Sequence, residues 1–276
     1  MITDGHRVIA LKRSFSDLQR LDEVKSELIF YDLEDLDFVK PFTEHGNVDA
    51  VIHTATCYGR AGETPTQVFQ ANTVFPLHLL EAASFFHAET FINTDTFFNT
   101  DTILSSYLNI YALSKKHFSD WGRIIVLNDR IRFVNIRLEH LYGPGDNQSK
   151  FTYWIVQSCL KNIPDIKLTL GEQSRDFIYI ADAVSAYIQI LRYARDLKSG
   201  FLEFDLGSGE AVTVRNFVEA VHRLTGSNSN LSFGALLYRD NELMESKANI
   251  DPLLALGWQC KTGIDKGITK MIEQMR

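Results

Sequence analysis

Tyr111-Ala112-Leu113-Ser114-Lys115 sets a phenol and an ammonium four residues apart. On a helix, positions i and i+4 lie on one face. A cation held beside a phenol stabilises phenolate and lowers the tyrosine pKa toward neutrality. Such a tyrosine protonates a carbonyl oxygen as a hydride arrives, or takes the proton back in the reverse direction. By itself the spacing is more often a partly exposed tyrosine beside a solvated lysine. Its surroundings favour chemistry. Upstream, Phe91-Ile92-Asn93-Thr94-Asp95-Thr96 is a short apolar run passing into polar residues, where a hydroxyl at a strand's C-terminal end would bind the same oxygen. His53-Thr54-Ala55-Thr56, after another apolar run, offers small side chains past which a flat cofactor ring fits.

The elements that must position these groups alternate. Val8 to Leu11, Glu27 to Tyr31, Ala50 to His53, Thr90 to Asn93 and Arg132 to Arg137 read as strands. Between them, Ser16 to Lys25, Gln67 to Phe86 and Ile110 to Trp121 read as helices, the second from Val68, Ala71, Val74, Leu77, Leu80 and Ala83 at helical spacing. Alternating strands and helices imply parallel pairing and an α/β sheet covered on both faces. After Tyr142 the texture is mixed. Helices are expected near Phe151 to Lys161, Ala181 to Ala194 and Val214 to Leu224, with short strands at Lys167 to Leu170, Asp176 to Tyr179 and Phe204 to Leu206. The reading is a sheet domain over residues 1–141, with about 176–206 returning to it, and a smaller lobe over 142–276 packed on its C-terminal edge, where ligands bind in such folds.

Composition narrows the class. With 276 residues, 45% hydrophobic and 23% charged, the chain is a globular protein of one or two domains. Its formal net charge of −7 argues against a generic nucleic-acid binder. Cys57, Cys159 and Cys260 are far apart and outside any Cys-x-x-Cys or Cys/His cluster, so neither a disulfide framework nor a metal site is expected, and a cytoplasmic setting is. No apolar run reaches membrane-spanning length.

The ordered motifs resemble the extended short-chain dehydrogenase/reductases that act on nucleotide sugars, the epimerase/dehydratase family. They are His53 to Thr56, Asn72, Thr94 ahead of the Tyr111/Lys115 pair, Arg137-Leu138-Glu139-His140-Leu141-Tyr142-Gly143-Pro144-Gly145, Gly171 through Asp182, and Leu256-Gly257-Trp258. Within that family Cys57-Tyr58-Gly59-Arg60, Asn93 to Thr96, Arg137 to His140 and Arg239 to Met244 are most similar to the CDP-abequose and CDP-paratose synthases. The resemblance implies a Rossmann-like doubly wound parallel sheet with a smaller C-terminal α/β substrate lobe. It further implies NADPH-dependent reduction of the 4-keto group of a nucleotide-activated, CDP-linked 3,6-dideoxy- or 6-deoxyhexose for surface polysaccharide. A homodimer paired through helices that include the Tyr-x-x-x-Lys helix is implied as well.

Roles carry over by position. Thr94 matches the hydroxyl that bonds the reacting carbonyl, Tyr111 the proton donor, and Lys115 the residue that binds the nicotinamide ribose. Thr54, Ala55, Thr56, Asn72 and Leu138 match cofactor-lining positions, and Asp32-Leu33 the adenine-contacting pair. At the end of the first apparent strand, Lys12-Arg13-Ser14 replaces the acid that selects NAD, which points to NADP(H), with NAD(H) possible; two solvated charges are the plain alternative. Asp95 stands where sugar-nucleotide dehydratases keep an acid, but their glutamate base is here Thr96. Dehydration needs a base at carbon 5, so this departure argues against a dehydratase. Asp95 reads equally as the cap of a local turn. Asp95, Thr96, His140, Arg175 and Arg239 fall on the substrate side, the two arginines suiting a diphosphate. His140 reads equally as a core histidine, and Asp176 and Asp182 as structural carboxylates.

One part of the family pattern is missing. None of the 16 glycines forms the Gly-x-x-Gly-x-x-Gly turn that cradles a pyrophosphate at a helix N-terminus. Gly5-His6-Arg7-Val8-Ile9 resembles the link from a first helix into a second strand, so the sheet is expected to lack its first strand and glycine-rich turn. Two other outcomes stay open: an NAD-dependent nucleotide-sugar epimerase, against which Lys12-Arg13 speaks, and a shortened, inactive nucleotide-binding homologue.

Overall fold

Short runs rich in β-branched and aromatic residues become strands, and stretches with apolar residues three and four apart become helices. In a computed structural model that describes residues 1–35, 37–98, 108–127, 130–196 and 200–276, the first half runs β1 (Val8–Lys12), β2 (Leu28–Asp32), α1 (Lys40–His45), β3 (Ala50–His53), α2 (Pro65–Phe69), α3 (Phe75–Phe85), β4 (Thr90–Thr96), α4 (Asn109–Ile125) and β5 (Arg132–Leu138). The second half runs β6 (His140–Tyr142), α5 (Phe151–Leu160), β7 (Asp165–Leu168), β8 (Ser174–Tyr179), α6 (Ile180–Ala194), β9 (Gly200–Leu206), β10 (Ala211–Thr213), α7 (Val214–Thr225), β11 (Asn230–Phe233), α8 (Asp251–Ala255) and α9 (Ile264–Met275).

β3, β4, β5 and β9 pair in parallel in that spatial order, giving the Rossmann-like α/β sheet. β1 and β2 form a separate parallel pair, and β1 and β3 each keep one edge without a strand partner among the described residues. β6, β8 and β10 make a small mixed sheet, and β7 pairs with β11. The chain thus leaves the main sheet after β5 and rejoins it at β9.

Both faces of the main sheet are buried, as parallel sheets require. On one face Phe91 and Phe133 pack with Leu80 of α3 and Phe118 of α4. On the other, Ile92, Val134, Ile136 and Leu206 pack under Ala186 and Ile190 of α6, with Trp258 closing the cluster. A third core, around Tyr142, Ile155, Phe177, Phe217 and Ile268, is built from β6, α5, β8, α7 and α9. Gly122 lets α4 approach the sheet: a Cβ there would lie 2.4 Å from the Phe133 ring.

Register converts alternation into ladders across the strands. Phe91, Phe133 and Phe201 are aligned and stack with centroids 5.6 and 5.8 Å apart. The next row is Asn93, Asn135 and Glu203, and the last, at the carboxyl edge, is Asp95, Arg137 and Asp205.

Three expectations about elements need correcting. Ser16 to Lys25 is not a helix but loop with 3-10 turns at Gln19–Leu21 and Lys25–Glu27. There Asp17 accepts from the Gln19 amide and Ser16 from the Arg13 amide, so side chains compete for backbone that a helix would need. Gln67 to Phe86 is helical but interrupted by one π turn at Gln70–Val74. Pro76 has no amide hydrogen for the Asn72 carbonyl, and its ring crowds that oxygen, so the coil widens just before it. The strand expected at Lys167 to Leu170 lies earlier, at Asp165–Leu168, where it pairs with β11.

Candidate active site

The carboxyl ends of the parallel strands gather most of the residues singled out above. Lys12 and Asp32 face each other across β1 and β2. Thr54, Ala55 and Thr56 leave β3 exposed, while Thr94, Asp95 and Thr96 end β4 and Leu138 ends β5 in register with Thr96. α4 crosses this edge and delivers Tyr111 and Lys115, one turn apart and 6% and 1% exposed.

Burial dominates the ionisation of this pair. Lys115 is pushed down to about 8 by desolvation, opposed by the nearby Asp95 carboxylate. Its ammonium donates to the carbonyl oxygens of Thr94 at 3.0 Å and Ala55 at 3.4 Å. The Tyr111 phenol is pushed up, first by desolvation, then by the field of Tyr58, with the hydroxyls of Thr96 and Thr56 partly favouring its phenolate. The expectation that Lys115 depresses this phenol is therefore not what sets it here. A phenol held above its ordinary value keeps its proton at neutral pH but parts with it less readily than one tuned toward neutrality.

The two threonines of β4 divide. Thr94 lies on the side facing α6, where its Oγ1 is 2.7 Å from the Tyr187 hydroxyl, and Thr96 is the β4 hydroxyl that acts on Tyr111. Sequence reasoning placed Thr94 in that role; here its hydroxyl is engaged by Tyr187, although Thr94 and Thr96 share one face of the strand. Asp95 is buried in a polar ladder rather than aimed outward: Asn135 Nδ2 donates to Oδ2 at 2.9 Å and the Thr96 amide to Oδ1 at 2.8 Å. Asn135 also accepts from Asn93 and donates to Glu203, while Arg137 Nε donates to Asp205 at 2.6 Å.

Asn72, expected beside a cofactor, is instead buried and fully engaged. Its Oδ1 accepts from the Cys57 amide at 2.8 Å, and its Nδ2 donates to the Cys57 carbonyl at 2.8 Å and to Ser114 Oγ at 3.0 Å. Near β1, Lys12 is ion-paired with Asp32, and the Ser14 amide donates to Glu34. Arg13 is exposed, with its guanidinium 4.8 Å from the Phe15 ring. Leu33 opens the turn after β2.

On the substrate side, Arg175 is a correction. Its guanidinium is buried, donating to Glu242 Oε1 at 2.6 Å and to its neighbour's carbonyl at 2.8 Å, so it does not face outward for a diphosphate. Arg239 is exposed on the segment after β11. His140 packs its ring 4.6 Å from Phe97, and burial pushes it down to about 3, so it is neutral. Beside it, burial pushes Glu139 up to about 8, with Ser246 Oγ 2.6 Å from both carboxyl oxygens; the two side chains form a neutral contact, not an ion pair. Asp176 accepts from the amides of Ser208, Gly209 and Ala248, and Asp182 from those of Lys261 and Thr262, which are structural roles. Sequence reasoning missed Asn135, Tyr187, Glu242 and Ser246, all joined to the site through distant partners. Only Asn135, a lone amide in the apolar run Phe133-Val134-Asn135-Ile136, carried a local signal.

The fold implies a nicotinamide dinucleotide, and the residues fit one end of it. Lys115, with the small exposed Thr54, Ala55 and Thr56 beside Tyr111, suits a nicotinamide ribose. For the pyrophosphate, Arg13-Ser14-Phe15 follows β1 and Thr54-Ala55-Thr56 follows β3, and neither is a glycine-rich turn. Among the described residues no cluster of acidic, histidine or cysteine side chains could hold a metal.

Comparison with known proteins agrees with this geometry. CDP-abequose synthase from Salmonella muenchen is 34% identical over 273 residues, covering 99% of this chain and 90% of that protein. CDP-abequose synthase from Salmonella typhimurium is 36% identical over 227 residues, covering 82% and 76%. Among solved structures, UDP-glucuronic acid 4-epimerase from Bacillus cereus, in complex with UDP-glucuronic acid and NAD, superposes with a TM-score of 0.83 at 19% identity, covering 100% of this chain and 93% of that one. The model of the NAD dependent epimerase/dehydratase family matches residues 1–203, and the chain belongs to that family.

Proposed function

We propose that this protein is an NADPH-dependent reductase of the 4-keto group of a nucleotide-activated deoxyhexose, CDP-linked and most simply a 3,6-dideoxy sugar. The observation that carries the reading is the placement of Tyr111, buried at the strand ends one turn from Lys115 and beside Thr96. Similarity to two CDP-abequose synthases over most of the chain supports the substrate class. A bound nicotinamide supplies the hydride to the sugar carbon. Tyr111 donates its phenolic proton to the sugar oxygen, Thr96 or Thr94 holds that oxygen, and Lys115 holds the ribose hydroxyls in place of the carbonyls it meets here. Arg13 is the free-standing basic side chain for a 2′-phosphate, since Lys12 shares its charge with Asp32. A threonine at position 96, where a dehydratase needs a base, favours reduction over elimination.

Two further elements belong to the reading. The exposed apolar stripe of α4, Ile110, Leu113, Trp121 and Ile124 at heptad-like spacing, supports a homodimer paired through that helix. Three free thiols support a reducing, cytoplasmic setting, and no helix among the described residues is long and apolar enough to cross a membrane.

The test is NADPH oxidation with a CDP-4-keto-deoxyhexose as substrate. Tyr111→Phe is expected to lower kcat by roughly a hundredfold or more; full activity in that variant would sink the mechanism. A second reading, a nucleotide-binding homologue without turnover, takes its support from the described turns after β1 and β3, neither of which is glycine-rich. It predicts that CDP-sugar binds while NADPH does not.

A further inference from the structure

A polar row crosses the apolar sheet beneath α4. In register, His53 of β3, Asn93 of β4, Asn135 of β5 and Glu203 of β9 stand side by side. Asn93 and Asn135 are fully buried. A buried amide costs free energy unless its donors and acceptor find partners. Those of Asn135 do: Oδ1 accepts from Asn93 Nδ2 at 2.8 Å, and Nδ2 donates to Asp95 Oδ2 at 2.9 Å and to Glu203 Oε2 at 3.0 Å. Side chains alternate along a strand, so Phe91, Asn93 and Asp95 share one face of β4. Phe91 meets Phe118 of α4 with ring centroids 5.8 Å apart, and Lys115, three residues earlier, lies on the same side of that helix. Its ammonium reaches the carbonyl oxygen of Thr94, the residue before Asp95, and the Asp95 carboxylate favours its charged form.

We infer that Asn135 is a positioning residue for Lys115: by donating to Asp95 and Glu203 at once, it fixes the Asp95 carboxylate, still ionised, beneath the ammonium. Two carboxylates near one another repel, and an amide that donates a charge-assisted bond to each offsets that repulsion. The other titratable groups turned toward Lys115 among the described residues carry no charge. His53 of β3 is pushed down to about 3, first by burial and then by Lys115 itself, and Tyr111 on α4 keeps its proton. Arg137, in register with Asp95, has its guanidinium on Asp205 at 2.6 Å and Glu203 at 3.4 Å. A buried ammonium that loses its counter-charge gives up its proton more readily. It then becomes a poorer donor to ribose hydroxyls. That consequence for catalysis rests on the reductase reading above; the ionisation of Lys115 does not.

Nuclear magnetic resonance of the whole chain with carbon-13-labelled lysine tests this without any need for turnover, so a chain that proves not to be a reductase leaves the test intact. The Lys115 signal is identified by its loss in Lys115→Met, and in the wild-type protein it should titrate near pH 8. Asp95→Asn, which removes the charge and keeps the shape, should lower that midpoint by about one pH unit. Asn135→Leu should lower it by a similar amount, and should do nothing further in the Asp95→Asn background, because it acts through that carboxylate. Asn135→Ser, which keeps one donor, should give an intermediate midpoint and stands in for Asn135→Leu if that variant does not fold. An unmoved midpoint in Asp95→Asn or in the folded Asn135 variant would overturn the inference. So would an equal drop from the Asn135 change in both backgrounds, since that would mean Asn135 acts on Lys115 by another route.

Discussion

The Thr94 hydroxyl and the Tyr187 hydroxyl are 2.7 Å apart, joining the end of β4 to the middle of α6. Thr94 shares its strand face with Ile92, which packs under the same helix. The hydroxyl that acts on Tyr111 from β4 is two residues later, at Thr96. This separates two threonines that chain order alone makes interchangeable.

In the proposed reductase, Thr96→Val is therefore expected to cost more turnover than Thr94→Val. A lost hydrogen bond to developing negative charge costs on the order of tenfold to a hundredfold in kcat. Steady-state kinetics of the two single variants decides the matter. The opposite ranking would mean that substrate turns Thr94 away from Tyr187.

Lys115 makes a pH-dependent contribution to stability. Its ordinary pKa of 10.5 falls to about 8 in the folded chain because burial disfavours the ammonium. Between those values the unfolded chain binds more protons than the folded one, so Lys115's contribution to stability rises as pH rises from about 8 to 10.5. Below that window the buried charge costs on the order of 3 kcal/mol. Lys115→Met should raise stability at pH 7 by on the order of 1–3 kcal/mol while abolishing activity, and the gain should shrink by pH 9.5. Urea unfolding of both proteins at the two pH values measures it; an equal gain at both would contradict a buried lysine that sheds its proton near pH 8.

The outer stripe of α4 offers a simpler test. Trp121 is 47% exposed, and Ile124 beside it is more so. A charge placed in such a stripe opposes burial against a second copy. Trp121→Glu should sediment as a monomer under conditions where the wild-type protein is a dimer, with an unchanged far-ultraviolet circular dichroism spectrum. A wild-type monomer at micromolar concentration would remove this part of the proposal.

Much of this molecule was legible in its residue order. Parallel α/β architecture follows from strand-like runs alternating with helical periodicity, because each pattern can bury its apolar positions in only one way. The Tyr111/Lys115 pair was visible because i, i+4 spacing is a local property of a helix. Structural duty for Asp182 was also among the readings of the sequence, and the amides of Lys261 and Thr262 now show it.

Other features depended on register and packing between distant segments. Nothing near Arg175 announces that Glu242 will neutralise it, and nothing near Asn72 says that its amide will serve Cys57 and Ser114 rather than a cofactor. Thr94 and Thr96 share one face of β4, so which of them meets Tyr111 depends on where along the strand α4 and α6 cross it. The residue types and their order determined the chemistry available to this chain. Tertiary structure decided which groups meet, because hydrogen bonds and burial act over a few ångströms between residues scores of positions apart.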